Sequence, residues 1–592
     1  TNWVLPYETL ESNIQILTLA SDDHYVFLDP NAERISMAIG RLPIRSLSDA
    51  QTVVNKIISY ETNAVFDSWR NRITFVADDG LTSTGDDGTI HTGQAEDLAQ
   101  FPTPDSFTKE KIFIVQYPTV NTSTGRRKPT ANDAIDEAIN KGTAVLNWTG
   151  HGNTQQWAHE KVFSVDQDFP LLNNKGRLFF LVAATCDFAR YDYPTNASDA
   201  SAGEQLLLMA DRGAIAEVTA DRVVYSGDNA LLNETLYDNL LKMDVQGKPV
   251  RLGDAMWQVK QTLNSTNDKK HHLLGDPTMR LAVPRGVVSI DSVNGHTVTS
   301  LVTAGALSKV RVTGIVKKSD GSTSTSLRGE ALLEVYDSKR RVLVPEWGDY
   351  SFVVNGSLIY RGQISVRNGQ VRGTFPIPKD VSYGTDRSRI SLYASNDSTD
   401  AVGYTENFSI TGTSVATVDT TGPSINISFD NQSSHTGGVI APDATMIVEL
   451  ADSSGINTST AGIGHKLEAT LDASQKTFDL TSFYRGNLDT YQSGQIRYQF
   501  TALPEGRHTI SVKAWDIYNN SSSAEAFFEV RAASQLSLYN VFNVPNPFAR
   551  TTTFTFQRTS NDPIDIEIKV YTVAGRLIQT LEMSSIVDRF VQ

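Results

Sequence analysis

A nucleophilic thiol needs a base or a cation beside it, because free cysteine titrates near about 8.5 and histidine near about 6.5. The chain holds a single cysteine, Cys186, and ten histidines. Cys186 and His151 each stand just past a short apolar run. Ala144-Val145-Leu146-Asn147-Trp148 leads into Thr149-Gly150-His151-Gly152, and Leu178-Phe179-Phe180-Leu181-Val182-Ala183 leads into Ala184-Thr185-Cys186-Asp187. In open sheets flanked by helices, catalysts and ligands gather at the carboxyl ends of strands. The glycines around His151 let the backbone turn sharply and let a substrate carbonyl approach Gly152. With His151 as general base for Cys186, the N–H groups of Gly152 and Cys186 become natural donors to the oxyanion of a tetrahedral intermediate. This is acyl transfer through a thioacyl-enzyme, which either water or an amine can resolve. A lone cysteine is otherwise most often a small buried apolar residue, so the pairing of two strand ends carries the argument.

Those strand ends require a scaffold, and residues 35 to about 284 supply its pattern: β-branched apolar runs alternate with helical periodicity, as in a mostly parallel sheet flanked by helices. Strands are expected at 72–77, 112–115, 144–148, 178–183 and 214–218. Helices are expected at 48–60, capped by Ser48 with Val53, Val54, Ile57 and Ile58 at helical spacing, and at 131–140, 203–209 and 252–263. After Pro284, Ser, Thr and Gly punctuate alternating stretches such as Leu332-Leu333-Glu334-Val335-Tyr336 and Ile390-Ser391-Leu392-Tyr393-Ala394, the spacing of β-sandwiches. Thr420-Thr421-Gly422-Pro423 marks a further boundary before a new strand at Ile425. The expected organisation is a catalytic unit at 1–284, a β-sandwich at 285–420, an immunoglobulin-like β-unit at 421–530, and a last β-segment at 531–592 with too few strands for a complete sandwich.

Composition narrows the function. A length of 592 residues exceeds what one core sustains. The formal charge of −15, from 67 acidic against 52 basic residues, disfavours non-specific binding to nucleic acid or anionic lipid. One cysteine excludes an intramolecular disulfide and a cysteine-based zinc site. No apolar run is long enough for a membrane helix, and Thr1 to Leu10 lack the basic and apolar regions of a signal peptide.

Thr149-Gly150-His151-Gly152, Ala184-Thr185-Cys186-Asp187 and His272-Leu273-Leu274-Gly275-Asp276-Pro277 resemble, in that order, motifs of the gingipain family of cysteine peptidases. Gly40-Arg41-Leu42-Pro43 before the helix ending Tyr60-Glu61, and Phe75-Val76-Ala77-Asp78-Asp79-Gly80, match the same family, so the resemblance covers about residues 20–284. It implies a caspase-like α/β fold, a His151–Cys186 dyad, and an acidic residue orienting the histidine; the motif assigns that role to Asp79, with Asp78 adjacent. The family's Ala-Cys step is interrupted here by Thr185, inserted before the nucleophile, a departure that can alter the oxyanion loop without removing the thiol. Near the end, Val544-Pro545-Asn546-Pro547-Phe548 and Tyr571-Thr572-Val573-Ala574-Gly575-Arg576-Leu577 resemble the β-module that closes proteins exported by the type IX secretion system. A gingipain-like unit followed by β-modules is similar to the signal peptidases of that system. This resemblance implies a place on the outer cell surface against an outer-membrane β-barrel partner, PorV. It also implies cargo proteins whose C-terminal sorting domains are cut off, and anionic lipopolysaccharide as acceptor in a sortase-like transpeptidation. A secreted digestive peptidase of the same family, or a catalytically silent scaffold or adhesin, are the alternatives.

Other candidate residues have plainer roles beside the chemical ones. Trp148 and Trp157 flank the histidine turn and are candidates for a substrate pocket, although aromatics beside a strand end are often core. Asp86 and Asp87, in the acidic loop Gly85-Asp86-Asp87-Gly88, are pocket candidates too, without fixing a specificity. Asp22-Asp23, Asp78-Asp79 and Asp86-Asp87 are candidate ligands for structural Ca2+, but adjacent carboxylates in a turn are ordinarily solvated, and no metal is required for catalysis. His271-His272 and the His151–His159 pair lack the spacing and companions of a zinc site.

Overall fold

The computed structural model describes residues 3–591 except 10–14, 30, 63–64, 83–84, 193–199, 383–385, 415–418, 430–437, 460–464, 473–475, 501, 532–537, 549, 559–562 and 587–589. Its first half is built on six strands: β1 (Arg72–Ala77), β2 (Thr108–Phe113), β3 (Val145–Thr149), β4 (Phe179–Ala184), β5 (Ala214–Ala220) and β6 (His271–Leu274). They lie in the order β6-β5-β4-β3-β1-β2. Every neighbouring pair is parallel except β5–β6. A parallel sheet must be covered on both faces, and its inner strands β1, β3, β4 and β5 are accordingly buried on both. In β4, Phe180 and Val182 face one core while Phe179, Leu181 and Ala183 face the other.

Six helices provide that cover: α1 (Leu47–Thr62), α2 (Ile90–Gln100), α3 (Pro129–Lys141), α4 (Ala202–Leu208), α5 (Ser226–Leu240) and α6 (Leu252–Thr262). Residues of α2, α5 and α6 fill one core, and those of α3 and α4 the other. The expected strands at 72–77, 144–148, 178–183 and 214–218 form within a residue or two of their predicted places. The one at 112–115 is displaced: β2 ends at Phe113 and Ile114–Gln116 is a 3-10 turn. Ser46, not Ser48, caps α1, its Oγ accepting from Asp49 N at 3.1 Å. Nor are all of its periodic residues inward: Val54 and Ile58 are exposed while Lys56 is buried. The Lys56 ammonium explains this, donating to Leu207 O, Arg212 O and Ala214 O at 2.8–2.9 Å, where the chain leaves α4 and enters β5.

Beyond Pro284 the chain is β-rich, with many sheets. Residues from Val288 to Ile410 form one apolar core and those from Ile427 to Val530 another. The two share a sheet path through a single register pair, Gly362 with Gly486, where the absence of side chains lets the strands approach. The α/β half is anchored to the first of these cores. The hairpin Arg340–Leu343/Ser351–Val354 lays Phe352 on Phe113, with ring centroids 4.8 Å apart. Arg70 meets Asp400 at 2.7 Å with both side chains buried. Among the described residues no helix is long and apolar enough to cross a membrane.

Glu217 in β5 is wholly buried beneath Gly203 of α4, and neither carboxylate oxygen has a hydrogen-bond partner. Burial, reinforced by Glu204 and opposed by Lys56, pushes its pKa from 4.5 up to about 8. Because the folded-state pKa is the higher one, the stabilisation is present below pH 4.5 and is lost as pH rises through about 8. Its slope approaches one proton, about 1.4 kcal/mol per pH unit. Glu217→Gln should therefore raise the melting temperature at pH 8 while leaving it nearly unchanged at pH 4; equal shifts at both, followed by circular dichroism, would remove this account.

Candidate functional site

The strand order reverses between β1 and β3, and ligands of open α/β sheets bind outside the carboxyl ends of the strands at such a point. Three turns leave the sheet there: Asp78-Asp79-Gly80 after β1, Gly150-His151-Gly152 after β3 and Thr185-Cys186-Asp187 after β4. Thr149 and Ala184, the last residues of β3 and β4, are register partners, and Gly150 N donates to Ala184 O at 3.4 Å. His151 and Cys186 thus stand two residues beyond paired positions on adjacent strands, which in a sheet run about 4.8 Å apart.

Both glycines of the histidine turn are needed by what surrounds them. A Cβ on Gly150 would collide with Asp78 and stand 2.7 Å from the Trp148 ring; one on Gly152 would stand 2.5 Å from Thr185 Oγ1. Thr185, the departure noted in sequence, therefore packs directly against the histidine turn. That turn closes with Ala158 N donating to His151 O at 2.9 Å and Asn153 N to Gln156 O at 3.1 Å. Neither bond uses the N–H of Gly152 or Cys186.

Carboxylates hold the histidine from two sides. Asp78 Oδ2 accepts from His151 N at 2.9 Å, and Asp87 Oδ2 lies 2.7 Å from His151 Nε2. Asp78 is buried, and that burial raises its pKa against the opposing hydrogen bond from His151. The motif-based expectation for Asp79 does not match this geometry. Its carboxylate is buried, pairs with Lys128 Nζ at 3.1 Å and accepts from Leu81 N at 3.1 Å, so it serves the turn rather than the imidazole. The acid on the ring is Asp87, which the sequence had placed in a substrate pocket. Asp86 is exposed and accepts from Gly88 N at 2.7 Å, shaping the loop that carries Asp87.

The thiol is half-buried. Val224 N donates to Cys186 Sγ at 3.5 Å. Burial raises its pKa, the Val224 contact and Lys270 lower it, and Asp187 raises it. Asp187 has a positive φ of 56°, a conformation that short polar side chains tolerate, and this turns the chain at once after the cysteine.

Trp148 and Trp157 are not pocket walls. Both are fully buried, their rings stacked 4.9 Å apart within 2° of parallel, and they form the floor on which the histidine turn rests. Asp22 and Asp23 are not solvated either: buried, they pair with Arg41 at 2.5 Å and Lys260 at 2.8 Å. His271 and His272 are buried in β6, with His272 Nε2 3.0 Å from Ala20 O. His159 is exposed, its ring 5.7 Å from that of His151.

One residue escaped the sequence. His91, at the start of α2, is 4% exposed and its ring meets that of His151 edge-on at 5.0 Å. Burial and the neighbouring His151 push its pKa down to about 4, against the pull of Asp87. Its one signal was a histidine among the polar residues that follow the acidic loop, which no periodicity distinguishes.

Residues 1–282 match the model of peptidase family C25. No curated protein matches the chain. Among solved structures it is similar to dimeric latent PorU from Porphyromonas gingivalis, at 19% identity and TM-score 0.32 over 98% of this chain and 50% of that one. It is also similar to the Arg-specific cysteine proteinase gingipain R, RgpB, at 15% identity and TM-score 0.37 over 66% and 79% of the two chains. The chain thus spans half the length of the PorU structure. The family match takes in all six strands of the α/β sheet and both turns that carry His151 and Cys186, so residues 1–282 form a gingipain-like catalytic domain.

Proposed function

We propose that Cys186 is the nucleophile and His151 the general base of a cysteine endopeptidase. The observation that carries this is the register of β3 and β4, whose last residues, Thr149 and Ala184, are partners, so that His151 and Cys186 each follow two residues beyond a paired position. With His151 Nε2 turned to Asp87, Nδ1 is the nitrogen that takes the thiol proton, and Asp87 stabilises the imidazolium that results. Burial favours the neutral thiol, so the thiolate forms as the imidazole accepts its proton rather than standing preformed. The thiolate attacks the scissile carbonyl, the N–H groups of Gly152 and Cys186 receive the oxyanion, and the imidazolium returns its proton to the leaving amine. The thioester left on Cys186 is resolved by water, giving hydrolysis, or by an amine, giving transpeptidation.

In the finer form of this proposal the catalytic domain is caspase-like and the units at 285–420 and 421–530 are a β-sandwich and an immunoglobulin-like domain. The segment at 531–592 is related to type IX sorting modules. The substrate is then exported cargo, cut before its C-terminal sorting domain at the outer cell surface beside a β-barrel partner, with anionic lipopolysaccharide as the amine-bearing acceptor. What supports it is the order of the gingipain motifs, the family match and the Pro-Asn-Pro-Phe segment near the end of the chain.

Purified protein should cut a type IX cargo at one position before its sorting domain, with termini mapped by mass spectrometry, and Cys186→Ala should not. General digestion of casein points instead to a digestive peptidase, and no Cys186-dependent cleavage of either substrate, with the β-barrel supplied, to a scaffold.

The two acidic residues should separate by readout. Asp87→Asn should lower kcat/KM by at least about tenfold, within the roughly 10²- to 10⁴-fold that a general base supplies, and leave the melting temperature nearly unchanged. Asp79→Asn should act the other way, lowering the melting temperature because it leaves the buried Lys128 ammonium without its carboxylate. The opposite pattern would return the orienting role to Asp79.

A further inference from the structure

The chemistry above gives His91 no task, yet its setting is unusual. Nδ1 has no hydrogen-bond partner and Nε2 faces only the Asp87 carboxylate, although the side chain is almost wholly removed from water. Buried polar groups are normally fully hydrogen-bonded, so an imidazole left with one open nitrogen and one long carboxylate contact in a polar cluster points to a ligand. His91 Nε2 lies 3.5 Å from Asp87 Oδ2, the same oxygen that stands 2.7 Å from His151 Nε2. Asp78 stands behind them: one ligand-type atom from each of Asp78, His91 and His151 falls within 4.8 Å of the other two.

Two imidazoles with carboxylate oxygens form the donor set that zinc-class divalent ions take, tetrahedral with a position left open. Ca2+ asks for six to eight oxygens, which this cluster does not offer. At metal–ligand bonds of about 2.0–2.2 Å, tetrahedral donors stand roughly 3.3 Å apart. His91 and Asp87 are already close to that spacing, and the His151–Asp87 contact needs to open by only about half an ångström to reach it.

We propose that His91 and His151, with carboxylate oxygens from Asp78 and Asp87, form a binding site for a zinc-class divalent ion that switches the peptidase off. The ion takes the Nε2 lone pair of His151. A neutral imidazole bound in this way carries its remaining proton on Nδ1 and has no lone pair to offer the Cys186 thiol. The inhibitory consequence rests on the peptidase assignment above; the binding itself does not. Cys186 is not a ligand in this scheme, which separates it from the ordinary capture of a soft metal by a thiol and a histidine.

The test is isothermal titration of the full chain with Zn2+ at neutral pH, in competition with a chelator of known affinity. The wild type and Cys186→Ala should each bind one ion, with affinities within about twofold. His91→Phe, which fills the same space, and Asp87→Asn, at a partly exposed position, should bind more weakly. Their loss should be at least the about 10- to 100-fold that removing an outer-shell partner costs. Circular dichroism selects the variants that fold, and Asp87→Asn carries the test should His91→Phe fail to. Loss of binding in Cys186→Ala, wild-type affinity in either ligand variant, or no binding by the wild type would overturn the site. A chain that binds the ion but cleaves nothing supports the site and removes the peptidase assignment. A chain that shows Cys186-dependent cleavage that stoichiometric Zn2+ leaves untouched overturns the switch.

Discussion

Parallel pairing of β3 with β4 sets the height at which each strand gives way to its turn, and everything at the candidate site follows from that register. A slip of one residue would carry Phe180 and Val182 to the opposite core and leave His151 and Cys186 at different levels. The register is therefore held by the burial of side chains on both faces of the sheet, far from any chemistry. The stacked tryptophans under the histidine turn extend the same constraint: Trp148 points into the core from β3, Trp157 returns the chain over it, and Gly150 fits between ring and Asp78 because it has no side chain.

Within that frame the carboxylates divide into two that hold the turns and one that faces the histidine ring. Asp78 fixes the backbone of His151, and Asp79 fixes Lys128, whose ammonium also donates to Ile114 O and Tyr117 O at 2.8 and 2.9 Å and so ties the end of β2 to the same turn. These are buried and costly to ionise unless compensated, which is why each faces a donor. Asp87 differs: it is partly exposed, sits on a short loop rather than at a strand end, and shares one oxygen between two imidazoles.

Strands β1, β3, β4 and β5 were legible because they are largely apolar runs, which burial on both faces demands, whereas edge strand β2 carries Lys109, Glu110 and Lys111 and β6 opens on His271-His272, so neither reads as a buried strand. His151 and Cys186 were legible because each stands just past such a run. What did not show was tertiary. The helices α2 and α5 bury His91, Thr92 and Glu96, and Asn229 and Asn233, so their inward faces carry polar residues and their periodicity is weak. Asp79 matched its motif in sequence, but adjacent residues at a strand end point to opposite sides, and only the fold decides which side holds the imidazole. Asp87 was noticed for its charge and assigned to a pocket, since no local pattern says that an acidic loop folds back over a turn some sixty residues later in the chain.

The β-rich half is more than an appendage in sequence. Its hairpin at 340–354 places Val344 and Phe352 in the same apolar core as α2 and α5, and Lys111 of the edge strand β2 donates to Val353 O at 2.6 Å. An edge strand presents unpaired backbone groups and invites further pairing, so covering that side serves the catalytic domain directly. The cover also reaches the site at one remove. Tyr350 of the same hairpin lies beside Gly93, in the turn of α2 that carries His91. The position of the helix behind the histidine turn is thus set jointly by the sheet on one side and by the β-domain on the other. The α/β half owes part of the placement of α2 to the β-rich half.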